Sequence, residues 1–303
     1  MEAIIDLGTN TIHLLIFQLK ENFDFEVIYR ESSFVRIGKN GNQPIPEEDV
    51  NRAIDTLIIY KRKIDEFPVN SIQLFGTEAI RSASNQNQIV SLIKLKVGLD
   101  LKILSGEEEA DLIFKGTQLA LNQPEGNYMI MDIGGGSVEF IFCKDDKLLK
   151  SESKPLGVQF LKNKFNVSDP IQAVEIDAIN AYIEHEIGHF FQENNSGDIG
   201  FLVGSSESYE VMLDLLDIAY ADHKITIIDA GRFDDIFNLI IRSTIEERLK
   251  MKALNPNRVE LILFGFIIIR YALNHLNPKY IYVSEYALKE GLIFEAYQDF
   301  KCV

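Results

Sequence analysis

Residues 4–16, IIDLGTNTIHLLI, lie over residues 130–142, IMDIGGGSVEFIF, at a constant offset of 126. Asp6 falls on Asp132, Gly8 on Gly134 and Thr11 on Ser137, with apolar positions matching on either side. Each copy reads as a strand ending in Asp, a tight glycine turn and a second strand. A repeat of this kind constrains the fold more than any other feature, because each copy opens one half of the chain. It predicts a duplicated domain with a cleft between the halves.

Consecutive small residues let backbone N–H groups converge into an anion-binding concavity, and Thr or Ser hydroxyls add donors. The Asp at the strand end projects into the same space, where it can hold a hydrated cation. Gly8, Thr9, Asn10 and Thr11, with Gly134, Gly135, Gly136 and Ser137, are therefore the candidate phosphate-binding residues, and Asp6 and Asp132 candidate metal ligands. A plain β-hairpin whose glycines only supply positive φ is the competing explanation; the duplicated Asp-x-Gly weakens it.

Around these hairpins the pattern is α/β. Strands are expected at 3–5, 12–19, 27–29, 34–37, 72–75, 101–104, 128–132, 138–143, 201–203 and 281–283. Helices are expected from Pro46, with Val50, Ala53, Ile54, Leu57 and Ile58 on one stripe, and at 89–97, 107–121, 171–192, 209–220, 234–250, 259–276 and from Ala287. The loop Asn122-Gln123-Pro124-Glu125-Gly126-Asn127 is the strongest break. It divides the chain into 1–124 and 125–303, with the closing helix, about 287–303, returning to the first domain.

Composition narrows the function. Thirty basic against 46 acidic residues leave a net charge of −16, a field that repels nucleic acid. The longest apolar run, Leu261 to Ile269, is short of a membrane span, and residues 1–6 lack a signal peptide's basic start. Two cysteines, Cys143 and Cys302, make no disulfide framework. A cytoplasmic protein without membrane or nucleic-acid partners is expected, and a homodimer is compatible with this reading. Any phosphate ligand needs a locally built site of N–H groups, arginines and a divalent cation.

DLGTNT (6–11), GTEAIRSASN (76–85), SGEEEADLIFKG (105–116), DIGGGSVE (132–139), PLG (155–157) and SEYALKEG (284–291) occur in an order, and over a span, that resembles the exopolyphosphatase / guanosine pentaphosphate phosphatase family of the actin-like ATPase superfamily. The length is similar to that of two-domain members without a helical C-terminal extension. The resemblance implies duplicated actin-like (ribonuclease H-like) domains and hydrolysis of terminal phosphoanhydrides. It implies that Glu109 is the catalytic glutamate, that Arg81 contacts phosphate, and that Asp132 and Glu139 are associated with magnesium or another divalent cation. Independently, Ser105 and Glu108 form an S-x-x-E capping box that places Glu107–Glu109 in a first helical turn, where the helix dipole favours ionised carboxylates.

Two segments depart from the family pattern. VGSSES (203–208) puts Glu207 where relatives carry a glycine-rich loop, and SEYALKEG has Tyr286 and Lys289 where glycine and arginine are usual. Both weigh against guanosine pentaphosphate, so polyphosphate ranks first as substrate and a phosphorylated guanosine nucleotide second. A non-catalytic sensor of polyphosphate or alarmone, and a sugar or carboxylate kinase, are the rivals within the same fold. HEIGH (185–189) satisfies the zinc-protease pattern. Ile176, Ile179, Ile183, Ile187 and Phe190 form that helix's apolar stripe, however, which places His185 and His189 on the solvated face.

Overall fold

The computed structural model describes all residues except 22–23, 39–42, 122, 195–198, 221–223 and 302–303. Asn122 and Cys302 of the readings above therefore lie outside the described residues. The first sheet has the order β3-β2-β1-β4-β5, formed by β1 (Glu2–Leu7), β2 (Thr11–Leu19), β3 (Phe25–Phe34), β4 (Ser71–Gly76) and β5 (Leu101–Ile103). β1, β2 and β3 are antiparallel neighbours, whereas β4 and β5 run parallel to β1. The connections carry α1 (Glu47–Ile64), α2 (Glu78–Arg81) and α3 (Gln86–Val97), and α4 (Gly106–Gln118) follows β5.

The second sheet repeats this order. β6 (Asn127–Ile133), β7 (Val138–Lys144) and β8 (Lys147–Lys154) form the antiparallel half. β9 (Ile199–Ser205) and β11 (Tyr280–Ser284) run parallel to β6, and β10 (Ile225–Asp229) adds an antiparallel edge. The helices are α5 (Val158–Lys164), α6 (Ala173–Asn194), α7 (Glu207–Leu215), α8 (Phe233–Arg242), α9 (Ile245–Arg248), α10 (Ile262–Leu276) and α11 (Leu288–Lys301). The internal repeat is thus a duplication of whole sheets, of which the two hairpins are the most alike part.

Strand alternation sorts the core into three layers. Ala3, Ile5 and Leu7 face α1 and α3, and Met129 and Met131 face α6 and α10. Their neighbours Ile4, Tyr128 and Ile130 point the other way, into a shared core with α4 and α11. Buried on both faces, β6 and β7 read as continuous apolar runs rather than as alternating ones. α11 packs closely against α4: a Cβ on Gly291 would stand 1.9 Å from the Leu112 carbonyl oxygen, and one on Gly116 1.8 Å from that of Ala287. Only glycine permits such an approach, and it places the end of the chain against the helix that follows the first sheet.

Several elements differ from expectation for identifiable reasons. Val35–Ile37 leave the sheet because Val35 and Arg36 N–H bond to the Asn10 carbonyl, and Ile37 N–H to that of Thr9. The helix expected over 234–250 is two, because Thr244 and Glu247 form a capping box that starts α9. Residues 259–261 precede the regular α10. β8, α5 and β10 carry no strong periodicity and were not anticipated. His185 is exposed and His189 half-exposed against Glu152, with Ile179, Ile183, Ile187 and Phe190 buried.

Candidate active site

The two turns are built alike. Gly8 N–H donates to the Thr11 carbonyl at 3.1 Å and Gly134 N–H to that of Ser137 at 3.0 Å. Each turn is tied back by the segment after its third strand: residues 35–38 bond the Asn10 and Thr9 carbonyls, and residues 157–160 those of Gly134, Gly135 and Gly136. Gly157 is indispensable to that contact, since a Cβ there would stand 2.4 Å from the Gly135 carbonyl carbon. With their carbonyls occupied in this way, the turns leave the N–H groups of Thr9, Asn10, Gly135 and Gly136 without a hydrogen-bond partner among the described residues. Buried amides of this kind suit an anion.

The turns also touch. A Cβ on Gly135 would lie 2.8 Å from Asn10 Nδ2, and one on Gly136 2.7 Å from Thr9 Oγ1. They form a common floor rather than two jaws on opposite sides of a phosphate chain. One cleft of about 270 Å³ opens above that floor, lined by Asp6, residues 8–11, Glu109, Asp132, residues 134–137 and Glu139.

Asp6 sits opposite His13 in the β1–β2 register and Asp132 opposite Glu139 in the β6–β7 register. Ser105 completes its capping box with Glu108, leaving Glu107 and Glu108 exposed while Glu109 turns inward, 6% exposed. Arg81 does not itself line the cleft. Its guanidinium donates to Glu109 Oε2 at 2.9 Å and the Leu104 carbonyl at 2.7 Å, and through Nε and Nη2 to Glu78 Oε2 at 3.1 and 2.6 Å. One N–H of the five remains uncommitted.

Carboxylates dominate this cleft, and burial raises their pKa values. Asp6 is pushed up to about 6 by burial, with Lys289 opposing. Burial, reinforced by Glu139, pushes Asp132 up to about 8. Glu139 is raised by burial against hydrogen bonds from Ser153 and Ser137, and Glu109 is raised well above the usual range by burial and by Glu139. Asp6 Oδ1 is buried without a hydrogen-bond partner. Among the described residues no three His, Cys, Asp or Glu side chains converge as a ready-made cage. A hard cation bound through one or two carboxylates, keeping its waters and taking phosphate oxygens, fits such a donor set.

The folded carboxyls keep protons that the unfolded chain releases from its ordinary 3.8 upward, so without metal their contribution to stability falls as pH rises toward about 8. A divalent cation bound by these carboxylates would have to displace those protons. Its stabilising increment in melting temperature should therefore be larger at about pH 9 than at about pH 5. Equal increments would contradict the assignment of these carboxylates to a cation.

Three further groups line the cleft. His13 is pushed down to about 3 by burial and by Lys289, so the imidazole is neutral, bonded through Nδ1 to Ser32 Oγ at 2.7 Å. Its position was legible, because the repeat lays His13 over Glu139. Arg258 was not: it sits in the turns before α10 and spans the cleft, with Nη2 2.6 Å from Glu207 Oε2 and 2.9 Å from Thr11 Oγ1. Ser205, at the end of β9, sits opposite Asp132 in the β6–β9 register and lines the same cleft.

The model of the Ppx/GppA phosphatase family matches residues 15–300. The chain belongs to that family. An exopolyphosphatase from Cytophaga hutchinsonii superposes with a TM-score of 0.91 at 30% identity, covering 98% of this chain and 97% of its own. The Ppx/GppA enzyme of Aquifex aeolicus superposes at 0.80 with 26% identity over 97% and 98%. The bifunctional 3-dehydroquinate synthase/phosphatase of Fusobacterium nucleatum is 26% identical over 99% of this chain, which spans 47% of that protein's length. The Ppx/GppA fold accounts for the duplicated sheets, and the expected actin-like α/β architecture holds.

Proposed function

We propose that this protein is an exopolyphosphatase that removes terminal orthophosphate from inorganic polyphosphate with a divalent cation, magnesium first. The observation that carries this reading is the position of Glu109. It is a buried carboxylate held by Arg81, and it opens onto a floor of unpartnered N–H groups beside the unsatisfied Asp6 oxygen. The C. hutchinsonii relative, described as an exopolyphosphatase, supports it.

The terminal phosphate would rest on the N–H groups of both turns, with the Thr11 and Ser137 hydroxyls beside them. Arg81 fixes one Glu109 oxygen, which leaves the other to orient a water and accept its proton. The new bond joins water oxygen to the terminal phosphorus; the bridging P–O bond breaks, and the shortened chain leaves. Burial raises the Glu109 pKa, against the Arg81 guanidinium that favours the carboxylate, so the ionised form is a stronger base than an exposed glutamate. A magnesium ion held through one or two of the Asp6, Asp132 and Glu139 carboxylates, keeping its waters, would neutralise charge on the phosphates. In this reading Arg81 acts mainly by positioning Glu109. On the same reading the lobes 1–124 and 125–303 enclose the substrate and the setting is cytoplasmic; among the described residues no helix is long and apolar enough to cross a membrane.

Glu207 bears on the choice of substrate. Its carboxylate already occupies Arg258, so a guanosine polyphosphate reaching that end of the cleft meets a cation that is already neutralised. Assayed side by side with magnesium at matched phosphate concentration, polyphosphate should show the higher kcat/KM. A clearly higher value for guanosine pentaphosphate would overturn the ranking.

A further inference from the structure

Lys289 and Arg258 are the only Lys or Arg side chains among the described residues that line the cleft. Arg258 is engaged by Glu207 and Thr11, and Arg81, behind Glu109, by Glu78 and Glu109. Lys289 makes no ion pair within 4 Å among the described residues, although it stands in a cleft crowded with carboxylates. It is half-buried in the first turn of α11, a rigid mount. The Glu290 carboxylate accepts the Ala287 N–H at 2.9 Å at the start of that helix, and Gly291 locks the next turn onto α4.

We propose that Lys289 is the cation that anchors the phosphate chain in the cleft, a substrate-binding residue distinct from Glu109 and its Arg81 support. The inference rests on the exopolyphosphatase reading. Its ammonium reaches the field of both Asp6 and Asp132, one from each repeat, without pairing to either. Three N–H donors and a full charge on a rotatable head can follow a flexible chain of phosphate oxygens, and a guanidinium would supply the same charge through a planar fork. Among the described residues, a polyanion entering this acidic cleft finds no other cationic side chain free on its lining. If Lys289 only balanced the carboxylates, its removal would alter metal dependence and leave substrate affinity alone.

Lys289→Met keeps the aliphatic stem and removes the charge. With magnesium and tripolyphosphate, KM should rise about tenfold or more while kcat stays within about threefold, the scale of one lost charge-assisted hydrogen bond. Lys289→Arg should recover most of the loss. Equilibrium binding of tripolyphosphate by titration calorimetry should weaken by the same factor in Lys289→Met, at an unchanged melting temperature. Unchanged KM and affinity in Lys289→Met would overturn the proposal. So would an equal loss in Lys289→Arg, or weaker binding seen only together with a lowered melting temperature. Should the wild type bind tripolyphosphate without releasing phosphate, the exopolyphosphatase reading fails, and the binding comparison still decides the role of Lys289.

Discussion

Glu109→Gln is expected to bind tripolyphosphate with near wild-type affinity and to turn it over about 10²-fold or more slowly, the usual scale for loss of a general base. The substitution keeps the side chain's shape and an oxygen for the Arg81 hydrogen bond at 2.9 Å, but the amide cannot take a proton from water. Removing a negative charge from a cleft already rich in carboxylates should, if anything, favour an incoming polyanion. That separation of affinity from turnover identifies a group that acts in the transition state rather than in substrate capture. Titration calorimetry together with single-turnover phosphate release measures both. Turnover within about threefold of wild type would remove Glu109 from the chemistry, because a lost general base costs far more. Weakened binding at unchanged turnover would make it a substrate contact instead.

Lys289→Met should show the opposite split, with KM moving and kcat holding. The two variants together divide the cleft into a side that binds and a side that reacts. The geometry supports such a division: Glu109 begins α4, Lys289 begins α11, and the two helices are held together by the close contacts of Gly116 and Gly291.

Much of this arrangement was legible in the sequence because local rules agree with the fold. The hairpins combine a period-2 apolar pattern with turn residues at fixed spacing, and their repetition reveals that two sheets exist before any strand order is known. The capping box of Ser105 and Glu108 turns Glu109 inward by helical geometry alone. The repeat also lays His13 over Glu139, which marks a cleft residue that the motif reading passed by.

The rest was illegible for physical reasons. β8, KLLKSESK, is an edge strand with polar side chains, so it carries no apolar alternation to recognise. The break between α8 and α9 depends on a single Thr244–Glu247 box inside a segment whose apolar period continues. Arg258 is harder still. It lies 247 residues from Thr11 in sequence, and only the packing of one sheet system against the other brings the two within 2.9 Å. The contact between the turns has the same origin: each turn can be read from its glycines, but their shared floor is tertiary.

The most direct test of metal-assisted exopolyphosphatase chemistry is orthophosphate release from purified polyphosphate by the wild-type protein, with magnesium and then with excess chelator. Release should be steady with magnesium, with orthophosphate as the only small product. It should fall about 10²-fold or more on chelation, since one metal clamp on a phosphoryl group supplies several kcal/mol, and recover when magnesium is restored. Equal rates with and without metal, or a ladder of shortened chains without orthophosphate, would contradict it.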